Sequence, residues 1–319
     1  MRLLTGAFIL ALLPLAGCSE EEPGRAPAAP SDAPLARAWE HDLVLAPNSY
    51  PDAVVVSEGH WLSAASFDNS PGTTNPTPNV PLPYAIGDSE TGEVTTLDPL
   101  GVGPVRAIPG TDLFVAVAGG RVGVIDPAVP EMVWSRRAIG PEVVDLSPTR
   151  IWMGRVTDDG QPICLTVDTG RVVRHDAACL AADLDPPNVI DGVSWYENPT
   201  LVDVPGGAQV QVQVPTVRAQ DVETSEPLWS YGSLAAVTVD DEVSLDYSAF
   251  TGSDLGLVRV DYRDGWATLH LLDIRTGEVT RTLGRVDAGR LVGFAGDVAV
   301  FEERDADSPP TVMGYRVGP

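Results

Sequence analysis

Short runs of alternating apolar and polar residues fill the chain from about residue 38 to its end. Clear examples, rich in valine and leucine and bounded by Gly, Asp or Pro, are residues 113–126, 254–262, 267–274 and 297–303. A repeat of two is typical of strands that bury one face, and no window after residue 17 shows a sustained helical repeat. The pattern therefore predicts an all-β fold.

A turn signature, in which an aspartate is followed closely by Thr and Gly, recurs along this region. Each aspartate is expected to end a strand and accept a hydrogen bond from the backbone two residues on, while glycine supplies the positive φ that closes the turn. The interval between copies is about 40 to 50 residues, which is the length of one four-stranded blade of a β-propeller. The copies begin at Asp88, Asp168, Asp221 and Asp273, with glycines at Gly92, Gly170 and Gly277, and a degraded copy begins at Asp126.

Two of these aspartates are followed eight residues later by a tryptophan, Trp134 and Trp229, where the outgoing strand would pack against the next sheet. Strand-turn-strand units of this kind resemble the repeats of the PQQ-like (quinoprotein-type) β-propeller family, which includes the lipoprotein of the outer-membrane β-barrel assembly machinery. Five turns indicate five blades. A sixth is predicted from strands in 291–303 and 311–317, closed by an N-terminal strand near 39–45, so that no sheet edge stays open. We expect six blades in residues 38–319, and seven or eight are also compatible with the pattern.

The N-terminus has the three parts of a secretory signal. Arg2 precedes an apolar run from Leu3 to Leu15 that is too short to span a bilayer, and the run ends in Leu-Ala-Gly-Cys18. This ending resembles the lipobox of bacterial lipoproteins, which implies diacylglycerol on the Cys18 thiol and cleavage before Cys18. We therefore expect residues 1–17 to be a signal peptide. The alternative is an ordinary secreted protein with a chance cysteine.

Residues 18–37 are predicted to form a lipidated cysteine followed by a flexible, disordered linker. They are rich in Pro and Ala, acidic, and hold one large apolar residue, Leu35, so they cannot bury enough surface to fold. All 20 basic residues of the chain are arginine, a bias that suggests a GC-rich genome and an actinobacterium. The expected location is the cell membrane, with the lipid-anchored domain outside the cytoplasm: extracellular in an actinobacterium, or periplasmic in a Gram-negative cell.

The two remaining cysteines, Cys164 and Cys179, would be exported to a compartment in which disulfides form. We therefore expect them to be bonded to each other. Because Cys164 falls on the apolar face of a predicted strand, a buried free thiol is the alternative.

Catalytic signatures are absent from the sequence. It contains no His-Glu-x-x-His, Gly-x-Ser-x-Gly, Cys-x-x-Cys or phosphate-binding loop, and it has no lysine. The four histidines are far apart in sequence, so we expect no metal site and no cofactor. These features argue against an enzyme without excluding one. The alternatives are a quinoprotein-like oxidoreductase, which the family resemblance raises but the non-adjacent cysteines disfavour, and a metal-dependent lactonase-type hydrolase.

Charge and loop composition suggest what the domain binds. A net charge of −25 disfavours nucleic acid and anionic lipid surfaces as partners. The candidate binding residues are Asn75 and Asn79, in the polar, proline-rich segment 68–83, and the pair Trp195 and Tyr196. The alternatives are a disordered insertion without function for 68–83 and packing between blades for the aromatic pair. We expect a non-catalytic protein-binding or assembly scaffold, anchored to a membrane, whose partner is another envelope protein.

Overall fold

The alternating pattern folds into antiparallel strands in a computed structural model of the chain. Within the residues that this structure describes, there are 28 strands, numbered β1 to β28 in chain order. The described residues are 33–43, 49–67, 84–97, 104–118, 120–137, 142–154, 163–174, 189–197, 200–203, 211–214, 217–231, 237–238, 241–242, 244–250, 256–263, 265–287, 289–303 and 310–317.

Six four-stranded antiparallel sheets form the blades, named I to VI in chain order. In the first three blades the four strands are consecutive in sequence. Blade I holds β2 (Ser49–Val56), β3 (His60–Phe67), β4 (Tyr84–Asp88) and β5 (Val94–Leu97); blade II holds β6 (Val105–Ala107), β7 (Phe114–Ala118), β8 (Arg121–Asp126) and β9 (Glu131–Arg137); blade III holds β10 (Glu142–Leu146), β11 (Arg150–Gly154), β12 (Ile163–Thr166) and β13 (Val172–Arg174).

Blades IV and VI depart from this simple order, whereas blade V keeps it. Blade IV is interrupted by one inserted hairpin and followed by another, and blade VI takes its outer strand from the N-terminus. Blade IV holds β14 (Val189–Ile190), β15 (Val193–Glu197), β18 (Val217–Asp221) and β19 (Pro227–Tyr231); the hairpins are β16 (Thr200–Asp203) with β17 (Gln211–Val214) and β20 (Val237–Thr238) with β21 (Asp241–Glu242); blade V holds β22 (Ser244–Phe250), β23 (Gly256–Arg263), β24 (Trp266–Leu272) and β25 (Val279–Asp287); blade VI holds β26 (Arg290–Ala295), β27 (Val298–Glu303), β28 (Thr311–Arg316) and β1 (Arg37–Asp42).

The blades form a six-bladed β-propeller, which confirms the predicted all-β fold and the preferred blade count. The first strand of each blade faces the axis: β2 lies beside both β6 and β26, and β26 also lies beside β22. Successive side chains of a strand point to opposite faces, so each blade packs apolar residues against both neighbours. The largest core cluster, for example, joins Phe250 and Leu269 of blade V to Phe301 and Tyr315 of blade VI.

The ring closes where blade VI meets blade I. Strand β1 pairs antiparallel with β28, so the N-terminal strand completes the last blade as the sequence predicts. Trp39 of β1 stacks on Trp61 of β3, with ring centroids 5.9 Å apart and planes 23° apart. Such aromatic pairs contribute roughly 0.5–1.5 kcal/mol beyond the burial of their surface. The two tryptophans therefore stabilise the seam between the first and last blades.

The segment just before β1 also contacts the propeller. The Leu35 N–H donates to the Arg285 carbonyl (2.7 Å), and the Arg285 N–H donates to the Ala33 carbonyl (3.1 Å). The Leu35 side chain packs against the core cluster of blades V and VI. The sequence assigned these residues to a disordered linker, and that boundary is too late. The reason is Leu35, whose apolar side chain finds a place at the outer edge of blade V.

Candidate functional site

The aspartate turns connect the third and fourth strands of their blades. In blade V, Oδ1 of Asp273 accepts hydrogen bonds from the backbone N–H groups of Arg275 (2.8 Å) and Thr276 (2.9 Å), and the Gly277 N–H donates to the Asp273 carbonyl (2.8 Å). Asp88 and Asp221 likewise accept hydrogen bonds from the backbone N–H groups two and three positions further along the chain. The hydrogen bond from the Thr276 N–H is the main reason that the pKa of Asp273 lies below its usual value.

The turn of blade III corrects one predicted residue. Here the Gly170 N–H donates to the Thr166 carbonyl (3.0 Å), so Thr166 occupies the position that Asp88 holds in blade I. Asp168 lies within the turn, where its carboxylate accepts from the Thr169 hydroxyl (3.1 Å). The prediction failed because the spacing differs. Glycine lies four positions after the aspartate in the turns of blades I and V, but Gly170 lies only two positions after Asp168. In the degraded turn of blade II, Asp126 accepts from the Ala128 N–H (2.9 Å).

A tryptophan of one blade docks on the turn of the next at three of the six interfaces. The indole N–H of Trp134 donates to the Val167 carbonyl (2.6 Å), and that of Trp229 donates to the Ile274 carbonyl (2.7 Å). Trp39, which the repeat pattern did not single out for this role, donates to the Ser89 carbonyl (2.7 Å). In each case the acceptor is the second residue of the turn, so these tryptophans fasten neighbouring blades.

Trp195 is buried, as the alternative of packing between blades predicts, and it presents no binding surface. It lies in β15, is 8% exposed, and packs in the core between blades IV and V with Val217 and Leu257. Its indole nitrogen is buried without a hydrogen-bond partner among the described residues. The sequence shows two adjacent aromatic residues but does not show that Trp195 points into the core.

Most of the other predicted site residues lie outside the described part of the chain. Cys164 is fully buried and carries a disulfide bond, and its partner lies outside the described residues, so the assignment to Cys179 stays a prediction. Also outside the described part of the chain are Cys18, Asn75 and Asn79, and the side chain of Tyr196.

The two faces of the propeller differ in the length of their connections. One face, called the short-turn face, carries the turns between first and second and between third and fourth strands. Its connections are tight, such as Asp191–Gly192 and Gly296–Asp297. The opposite face, called the long-loop face, carries the remaining connections. Segment 68–83, the β16–β17 hairpin and the β20–β21 hairpin all connect strand ends on this face.

A cavity of about 360 Å³ opens at the short-turn end of the central channel. Its wall comes from the first strands of blades I, II, V and VI, and it is largely apolar, with Val56, Ile108 and Phe294 among its residues. Glu58 is the one ionisable side chain among these described lining residues. Calcium sites take six to eight oxygen ligands, so this wall offers apolar contact rather than a ligand set.

Ser57, His60 and Asp112 meet at the same face, where the first turns of blades I and II touch. The Ser57 hydroxyl donates to the His60 carbonyl (3.1 Å), and the imidazole Nδ1 lies 3.5 Å from Asp112 Oδ1. A nucleophile needs its hydroxyl on the imidazole nitrogen, whereas here it caps the backbone. The cluster therefore joins two turns. Within the described ranges, no group of three or more His, Cys, Asp or Glu side chains could hold a metal ion, and no helix is long and apolar enough to cross a membrane.

Comparison with known proteins adds similarity of fold alone. No family model matches the sequence, and no curated protein is similar to it. Solved structures with a similar fold include BamB from Moraxella catarrhalis (14% identity, 88% of this chain and 99% of that chain, TM-score 0.35). Others are a chain of the mitotic checkpoint complex (9%, 91% and 98%, 0.45) and the β-propeller domain of the Trilobed protease from Pyrococcus furiosus (9%, 84% and 95%, 0.42).

Proposed function

We propose that the chain is an exported lipoprotein, anchored through Cys18, whose propeller binds another protein of the cell envelope through its long-loop face. The observation that carries the proposal is the asymmetry of the two faces. Blade packing fixes the strand ends, so connections that exceed a tight turn add nothing to the ring and are free to serve recognition. Such connections join strand ends on one face, in blade I, in blade IV and between blades IV and V.

The anchor part of the proposal rests on the sequence. Leu-Ala-Gly-Cys18 follows an apolar run of the length of a signal peptide. Lipid on Cys18 would place the propeller outside the cytoplasm, at the membrane surface. Changing Cys18 to Ala should abolish incorporation of radiolabelled fatty acid and leave a precursor that migrates more slowly. Equal incorporation in the variant would refute the anchor.

The binding part is tested by shortening the long-loop face. In one variant an Asn-Gly pair replaces 68–83; in a second, Asn-Gly replaces 198–216. The second change suits the register, because Glu197 and Val217 already pair across β15 and β18. Both variants should keep the β-rich circular dichroism spectrum of the parent, because the blades themselves are unchanged.

The readout is capture of partners from the native membrane after chemical crosslinking. We expect at least one shortened variant to lose most of the captured protein. The matched control carries Val129→Asp and Val222→Asp, two exposed residues of the short-turn face, and should capture normally. If both shortened variants capture as the parent does, or the control alone fails, the long-loop face is not the binding surface.

A further inference from the structure

One exposed corner of blade V combines an aromatic ring with two guanidinium groups. The guanidinium carbons of Arg263 and Arg285 lie 5.5 and 5.6 Å from the centroid of the Trp266 ring. Arg263 is exposed, whereas Trp266 and Arg285 are partly buried. The three residues come together because Arg263 pairs with Trp266 across β23 and β24, and Arg285 lies on the adjacent strand β25. We call them the Arg–Trp–Arg cluster.

Within the part of the chain that the structure describes, the guanidinium groups of this cluster have no hydrogen-bond acceptor. Nε of Arg285 is buried with no hydrogen-bond partner among the described residues. On β23, the acidic residue nearest to Arg263 is Asp261. It is already bound by Arg259, with Nε and Oδ1 2.7 Å apart, and its Oδ2 lies 3.4 Å from Nε2 of His270. Neither guanidinium has an acidic partner among the described residues, and guanidinium groups beside a tryptophan ring can bind an external anionic or polar group.

The N-terminal segment leaves the propeller at this same place. The hydrogen bonds from Leu35 to Arg285 and from Arg285 to Ala33 join that segment to the backbone of a cluster residue. Between Ala33 and Cys18 the chain can extend over at most about 50 Å. A lipid on Cys18 would therefore keep the rim of blade V close to the membrane surface, and a short linker gives a high effective concentration of that surface.

The connections around the cluster leave room for a flat surface. On the long-loop face, blade V has two-residue connections, 264–265 between β23 and β24 and 288–289 between β25 and β26. Blade I, by contrast, has 68–83 at the same position. The two connections next to the cluster are therefore short, and the longer connection with the β20–β21 hairpin enters blade V at its inner strand β22.

We propose that the Arg–Trp–Arg cluster rests on the headgroup layer of the membrane to which the chain is tethered, so that blade V faces the bilayer. This proposal rests on the proposed lipid anchor. Tryptophan rings favour the headgroup level of a bilayer, and arginine binds lipid phosphate through paired N–H donors. The net charge of −25 disfavours a strongly anionic surface, and exposed Asp287, which pairs with Trp266, offsets one of the two arginine charges, so zwitterionic lipid is the better match.

The test measures which blade lies near the lipid. The lipidated chain is placed in phosphatidylcholine vesicles that contain a nitroxide-headgroup lipid as quencher. Because the chain has no lysine, Arg290→Lys beside blade V and Arg137→Lys on the opposite blade II each create one side-chain amine for a fluorophore without changing the charge. We expect at least twofold stronger quenching at 290 than at 137.

Variants of the cluster complete the test. Arg263→Glu and Trp266→Ala should each lower the quenching at 290 to the level seen at 137. Arg121→Glu on blade II is the matched control and should change nothing. Arg263 is exposed, so its variant should fold even if the Trp266 variant does not.

Two failures are distinguishable. A chain from native membranes that carries no acyl group would overturn the anchor and this proposal with it. A chain that is acylated and bound to vesicles, but is quenched equally at both positions or is indifferent to Arg263→Glu, would overturn this proposal alone. Cluster variants that lose capture of an envelope protein, with unchanged quenching, would assign the cluster to that protein.

Discussion

At the scale of single residues, the turn glycines mark the interfaces that a tryptophan fastens. Gly92, Gly170 and Gly277 all have positive φ and all lie against a tryptophan of the preceding blade. The same position in blade IV is Ser225, also at positive φ (59°), and the preceding outer strand β13 contains no tryptophan. Conformation alone therefore does not require glycine here, and the docked indole ring does.

This difference predicts unequal effects of matched substitutions. A β-carbon on Gly277 would lie 2.7 Å from the Trp229 ring, and the left-handed conformation disfavours alanine. Gly277→Ala should therefore lower the free energy of unfolding by roughly 2–4 kcal/mol. Ser225→Gly, at the same turn position, should change it by less than about 1 kcal/mol. Urea unfolding measures both, and equal losses would show that the tryptophan is irrelevant.

Trp195 gives a second prediction at this scale. Its ring fills the core between blades IV and V, so Trp195→Ala should cost about 3–5 kcal/mol of stability. Its buried indole N–H has no acceptor among the described residues, so Trp195→Phe removes an unsatisfied donor and should change stability by no more than about 1 kcal/mol. The phenylalanine variant should also capture partners normally. Loss of capture in a stably folded Trp195→Phe protein would restore the binding role.

At the scale of the elements, the features that could be predicted from the sequence are those that depend on neighbouring residues in the chain. Strand periodicity and turn residues act within a few positions, so the blades and the N-terminal closing strand were predictable. The β16–β17 hairpin was missed because its short strands look like an ordinary loop. Thr166 was missed because its hydroxyl replaces a carboxylate that the pattern required. The Arg–Trp–Arg cluster joins residues of three strands, and only the register of blade V brings them together.

The closing strand carries a prediction of its own. Trp39 joins β1 to blade I by its stack on Trp61 and its bond to Ser89, so Trp39→Ala should cost about 3–5 kcal/mol. Hydrogen exchange should accelerate for the amides of β28 that pair with β1. Glu40→Ala on the same strand removes an exposed side chain and should leave both properties nearly unchanged. Protection of β28 that survives Trp39→Ala would mean that the backbone pairing alone holds the seam.

At the scale of the whole molecule, the two proposed surfaces are compatible. Blade V has short connections on the long-loop face, while the 68–83 connection and the β16–β17 hairpin belong to blades I and IV. A ring that meets the membrane by the rim of blade V would hold its axis along the membrane plane, so that the long-loop face is not covered by lipid. The same ring has aspartate turns in blades I, IV and V whose carboxylates accept backbone hydrogen bonds, which makes its stability sensitive to acid.

The direction of that acid sensitivity follows from the turns. In the folded protein, hydrogen bonds from the backbone N–H groups of Thr224 and Thr276 are the main reason that the pKa values of Asp221 and Asp273 are lowered. An unfolded aspartate has a pKa of about 3.9, so the folded state gains stability above that value and loses it as the pH falls through the lower, folded pKa. Unfolding free energy should therefore be nearly constant from about pH 7 to 5 and fall below about pH 4.

Replacing the two turn aspartates tests this origin of the acid sensitivity. Asp221→Asn with Asp273→Asn keeps an oxygen acceptor in each turn but removes the titrating charge. This double variant should be less stable than the parent at pH 7 and lose less stability between pH 5 and 3, so the two curves converge in acid. Glu131→Gln with Glu303→Gln removes two exposed charges outside the turns and should leave the slope of the parent. Parallel curves for the parent and the aspartate variant would place the acid sensitivity elsewhere in the chain.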